Sequence, residues 1–145
     1  MKRAAFIMIV LTAALAFAQT ARAHCEIPCG IYDDRARVQL IAEHIGTIEK
    51  SIKQVLDLQQ AEQVNYNQLV RWIVNKENHA TEIQTIVSQY FMTQRIKPDT
   101  EQYARKIAVL HQMLITAMKC KQTTELKYVA ELRELLQTFD QLYFK

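Results

Sequence analysis

Apolar residues recur along this chain in two different rhythms. From Asp33 onward they fall three and four apart, so that Val38, Ile41, Ile45, Ile48, Ile52 and Val55 line one stripe of a helix. Asp33 or Asp34 is placed to cap its first N–H groups. The same spacing predicts a second helix over roughly 62–92, on Leu69, Ile73, Ala80, Ile83, Val87 and Tyr90. Lys97-Pro98-Asp99 then breaks the chain, and a third helix follows to about Lys119 on Tyr103, Ile107, Leu110, Leu114 and Ala117. A fourth runs to the C-terminus on Leu126, Val129, Leu132, Leu136, Phe139 and Tyr143. Trp72, Ile86, Phe91, Leu135 and Leu142 fall off these stripes, as residues that widen the core face or seal contacts between subunits. Only two Gly and two Pro occur in 145 residues, which favours long helices over a turn-rich sheet. Four helices with short connections make an all-α, up-down-up-down four-helix bundle the expected fold over 33–145.

The other rhythm is continuous. Ala4 to Ala18 is apolar but for Thr12, follows Lys2 and Arg3, and ends in Ala21-Arg22-Ala23. A positive start, an apolar run and small residues at the −3 and −1 positions predict a signal peptide over 1–23, cut after Ala23. The run is shorter than the roughly 20 residues that span a bilayer. The expected destination is outside the cytoplasm, periplasmic or extracellular, with no membrane anchor after cleavage by a signal peptidase or a dedicated protease. Charge follows the same division. The chain carries 18 Lys+Arg and 15 Asp+Glu, and Lys2, Arg3 and Arg22 account for the whole excess. The mature part is therefore formally neutral, which argues against a nucleic-acid partner.

The three cysteines, Cys25, Cys29 and Cys120, are too few and too unevenly placed for a disulfide framework. Cys120, near the end of the third helix, reads as a buried or semi-buried free thiol. His44, His79 and His111 lie on helices without a metal-spaced partner and read as surface or satisfied polar residues. Cys25 and Cys29 belong to a short non-helical segment, 24–32, in which Pro28 pushes Ile27 out of the helical region and Gly30 permits a tight or left-handed bend.

Cleavage after Ala23 makes His24 the first residue. Within six residues the chain then offers an α-amine, the His24 imidazole, the Cys25 amide nitrogen and two thiolates. Two nitrogens and two sulfurs can share a plane with the imidazole as an axial fifth ligand, a donor set suited to nickel(II) or copper(II) rather than tetrahedral zinc. A local Cys25–Cys29 disulfide is the plainer reading of the cysteine pair alone.

His24-Cys25-x-x-Pro28-Cys29-Gly30-x-Tyr32 resembles the nickel-binding hook of the nickel superoxide dismutases. The resemblance implies one nickel ion per subunit, held by the amine and imidazole of His24, the amide nitrogen and thiolate of Cys25, and the thiolate of Cys29. It implies that Tyr32 stands over the open axial face, with His24 and Tyr32 the residues that serve catalysis. Pro28 matches the family's cis bend, and the family's bundle assembles as a homohexamer. Ser88-x-Tyr90-Phe91 and Lys97-Pro98 resemble the end of the family's second helix, which makes Tyr90 a tyrosine beside the hook. Glu26 and Ile27 replace the usual Asp and Leu. The acidic residue that steadies the imidazole falls on Gln39, and an associated arginine falls on Asn75.

The expected function is dismutation of superoxide to oxygen and hydrogen peroxide at a nickel(II/III) centre. The alternative is a non-catalytic exported bundle that chelates nickel or copper through its N-terminus.

Overall fold

The computed structural model describes residues 30–145, and these form four helices with no strand among them. Helix α1 spans Asp34–Gln59, and α2 spans Tyr66–Thr85 and runs straight on into a π-helical stretch, Ile86–Arg95. Helices α3 and α4 span Tyr103–Gln122 and Leu126–Phe144. The main packing runs α1 to α2, α2 to α3, α3 to α4 and α4 back to α1. This closed ring of sequential neighbours is the arrangement of an up-down-up-down bundle. No described helix is long and apolar enough to cross a membrane.

Local chemistry sets the boundaries. Asp33, not Asp34, is the N-cap of α1: its carboxylate accepts from the Ala36 N–H at 3.0 Å. Asn65 caps α2 in the same way, accepting from the Gln68 N–H at 3.1 Å, so α2 starts at Tyr66 rather than near 62. The second helix also extends past 92, to Arg95, and its last turns are π-helical. Beyond Ile96 the Thr100 hydroxyl accepts from the Lys97 N–H at 2.9 Å and holds the turn around Pro98.

The core follows the periodic stripes. Val38, Ile41, Ile45, Ile48, Ile52 and Val55 are all buried, as are Ala80, Ile83, Leu110, Ala117, Leu132 and Phe139. Ile86 and Phe91 are core residues too, three residues after Ile83 and four after Val87 respectively. Among the stripe residues Leu69, Ile73, Ile107, Leu114 and Tyr143 are partly buried, and Tyr103 and Leu126, each the first residue of its helix, stay 38–39% exposed.

Buried polar groups tie the helices together. Lys76 on α2 donates from Nζ to the carbonyls of Lys121 (2.6 Å) and Thr123 (3.1 Å), satisfying the open end of α3. Burial lowers the Lys76 pKa. Cys120 is a buried free thiol, and burial pushes its pKa up to about 11, which keeps it protonated and unreactive.

Candidate metal centre

The predicted ligands His24, Cys25 and Cys29, together with Glu26 and Pro28, lie outside the described residues, as does the leader 1–23. The described chain begins where that segment ends. Gly30 has φ +79°, a left-handed turn that glycine adopts without strain. Two residues on, Tyr32 is 40% exposed at the N-terminal end of α1. Its ring meets the edge of the Tyr90 ring at 5.9 Å between centroids, and the Arg95 guanidinium lies 4.3 Å from its ring centre.

Beneath Tyr32 sits a hydrogen-bonded cluster centred on Asp34. Arg95 grips the carboxylate through Nε (2.9 and 3.1 Å) and one terminal nitrogen (2.8 Å). The Tyr90 hydroxyl donates to Oδ1 at 2.6 Å, and the Tyr143 hydroxyl donates to Oδ2 at 2.8 Å. Burial opposes ionisation of Asp34, but the bonds from Arg95, Tyr90 and Tyr143 outweigh it and hold the pKa below the usual carboxylate range. Burial first, and the hydrogen bond to Asp34 second, raise both tyrosines, Tyr143 to about 12. Both therefore remain hydroxyl donors to Asp34 at neutral pH. The hydrogen bonds to Asp34 raise Arg95 as well.

The π-helical stretch is what assembles this cluster. At 3.6 residues per turn, five residues carry a side chain about 140° round the axis, which would aim Tyr90 and Arg95 apart. In a π-helix the backbone closes at i→i+5, so the two share a face. The side chains echo that register. The Thr93 hydroxyl donates to the Ser88 carbonyl at 2.7 Å, and the Gln94 amide donates to the Gln89 carbonyl at 2.9 Å. Behind the site, Phe91 packs edge-on against Tyr90, Phe139 and Tyr143 at 4.9–5.5 Å.

The structure brings Tyr32 and Tyr90 into contact. It does not bring Gln39 and Asn75 together within one chain. Gln39 is exposed, whereas Asn75 donates to the Ser51 hydroxyl at 2.9 Å, twelve residues or roughly 18 Å further along α1. Sequence reasoning missed Asp34 and Arg95. The tandem Asp33-Asp34 was a usable signal, since one cap leaves one carboxylate over, but nothing in the residue pattern marks a π turn. It also missed that His44 and His79 meet: their Nδ1 atoms are 2.7 Å apart between α1 and α2.

Among the described residues no group of three or more His, Cys, Asp or Glu side chains could hold a metal ion. The donors expected from the sequence, the amine and imidazole of His24, the amide and thiolate of Cys25 and the thiolate of Cys29, lie outside the described residues; as a chemical set they would fit nickel. The described residues define the class of fold: an all-helical bundle with a tyrosine-topped polar cluster at one end. The comparisons fix the family. Residues 19–145 match the model of the nickel-containing superoxide dismutases, and the chain belongs to that family. It is accordingly a nickel-dependent oxidoreductase. Among curated proteins and among solved structures, nothing matches it.

Proposed function

We propose that the working chain begins at His24 and holds one nickel ion at that end, where it converts two superoxide anions and two protons into oxygen and hydrogen peroxide. The observation that carries this reading is a family match running through the hook motif, joined to the placement of Tyr32 half-exposed immediately after the Gly30 turn. His24 would supply its amine and imidazole, Cys25 its amide nitrogen and thiolate, and Cys29 the second thiolate. Nickel held by these donors supplies a reversible one-electron couple, made accessible by the anionic sulfur and amide ligands.

The chain's own residues do the rest. Tyr32 stands at the mouth, limits entry to small anions and orders water there. Glu26 and Pro28 shape the hook. Tyr90 backs the Tyr32 ring, and Arg95 places a fixed positive charge beside the path of an anionic substrate. Tyr90 and Tyr143 commit their hydroxyl protons to Asp34, so the two protons consumed come from water ordered near Tyr32 and from solvent. Gln39, exposed and uncharged, would steady the His24 imidazole only by a neutral hydrogen bond.

The leader pattern supports export to the periplasm or the extracellular space. A homohexamer is the proposed assembly, and exposed Tyr66, Val70 and Val74, four apart on α2, supply apolar surface for subunit contacts. The test is electron paramagnetic resonance of the purified protein with dismutase assays at graded nickel content. A rhombic nickel(III) signal and activity proportional to nickel support the reading. Nickel without activity, or activity without nickel, overturns it.

A further inference from the structure

We propose that Asp34 and Arg95 are positioning residues for Tyr32, acting as a two-step clamp; this rests on the reading of Tyr32 as the residue over the metal's open face. Tyr32 precedes the first helix, so no helical turn restricts its side chain. What holds the ring is one edge contact from Tyr90 and one face contact from the Arg95 guanidinium at 4.3 Å. An arginine has a long, mobile side chain, and by itself would hold nothing still. Here one edge of its fork, Nε and one terminal nitrogen, is committed to the Asp34 carboxylate at 2.8–3.1 Å. Asp34 is fixed in turn by the Tyr90 and Tyr143 hydroxyls and by its place at the start of α1.

The order of dependence runs from Asp34 to Arg95 to the face of Tyr32, while Tyr90 serves both ends. A planar guanidinium is needed, because only a flat fork can grip a carboxylate with one edge and lie against a ring with its face. The π turn is part of the device, since it alone puts Tyr90 and Arg95 on one side of α2. Rate effects of such misplacement run to roughly 10- to 100-fold when a group near the reacting atoms is displaced by an ångström.

The test uses 3-fluorotyrosine placed at position 32 of the mature, nickel-loaded and dithionite-reduced protein, read by fluorine NMR, in wild type, Arg95→Gln, Arg95→Lys and Asp34→Asn. The clamp predicts one sharp resonance in wild type, and a displaced or broadened one in all three variants. Asp34→Asn must show the effect although its side chain reaches Tyr32 only through Arg95, and Arg95→Lys must fail to rescue it. In parallel, Arg95→Gln should keep its nickel while the azide inhibition constant rises at least tenfold. A wild-type resonance in Asp34→Asn, or full rescue by Arg95→Lys, overturns the clamp and leaves Arg95 as a simple charge. The NMR readout involves no turnover, so a wild-type protein without dismutase activity would sink the functional reading while leaving the clamp to stand or fall separately.

Discussion

Replacing Asp34 by Asn keeps the shape of the side chain and removes its charge, and the consequences can be worked out bond by bond. The carboxylate accepts from Arg95, Tyr90 and Tyr143, and its side chain is only 17% exposed. Hydrogen bonds to a charged group contribute about 1.5–3 kcal/mol each when well buried. Arg95 is 29% exposed, so water will replace part of what it loses, and Asn retains one acceptor oxygen. A net destabilisation of about 2–4 kcal/mol follows, less than the roughly 3–5 kcal/mol for breaking a fully buried pair. At about 4 °C per kcal/mol for a bundle of this size, the melting temperature should fall by about 8–16 °C.

The pH dependence gives a sharper check. The folded protein holds Asp34 below its ordinary pKa, so in acid the unfolded chain takes up this proton more readily than the folded one. The stabilisation is therefore complete above the unfolded value, near pH 4, and is lost as pH falls through the lower folded value. Urea unfolding of metal-free mature protein between pH 7 and pH 2.5 would show it, with the metal left out so that its release does not add protons to the balance. The gap between wild type and Asp34→Asn should be widest from pH 7 to about 5 and should close in acid. A gap below about 1 kcal/mol at pH 7, or one that stays constant into acid, would refute the reasoning.

Three further outcomes are expected. Phe91→Ala removes a ring that is 0% exposed and packed on Tyr90, Phe139 and Tyr143, and should cost about 3–5 kcal/mol by chemical denaturation. A cost under about 1 kcal/mol would mean that the π-helical stretch does not pack as described. His44 has its pKa lowered, first by burial and then by His79, against the pull of Glu43 and Glu82. Its neutral form is favoured on folding, so stability should fall as pH drops below about 6.5, and His44→Gln should flatten that slope in urea titrations; an unchanged slope would place the acid sensitivity elsewhere. Cys25→Ser and Cys29→Ser should each abolish nickel binding while the circular dichroism of the bundle is retained, and a loaded, active variant of either kind would remove that sulfur from the ligand set.

How much of this was legible in advance depended on whether the physics repeats along the chain. The stripe from Val38 to Val55 was readable because burial recurs with the helical period, and every member is buried. Gly30 was readable because a left-handed φ narrows the choice of residue. Arg95 was not readable: five residues from Tyr90 is the wrong spacing for an α-helix, and only the widened turn pairs them. Tyr143 looked like another core position, and its hydroxyl found Asp34 from the far end of the chain. His44 and His79 are 35 residues apart, and their meeting depends on how α1 and α2 are set against one another, which no single-helix pattern encodes. Tyr103 and Leu126 misled because a periodic count does not register where a helix begins, and both are first residues that stay exposed.

The central claim is that a free amino terminus at His24 builds the nickel site. Intact-mass and N-terminal analysis of the native protein, with nickel quantified in the same sample, tests it most directly. The expected result is a chain starting at His24, one nickel per chain, and loss of that nickel when a single extra residue precedes His24. A mature chain that starts elsewhere, or one that keeps full nickel with the extra residue in place, would contradict it.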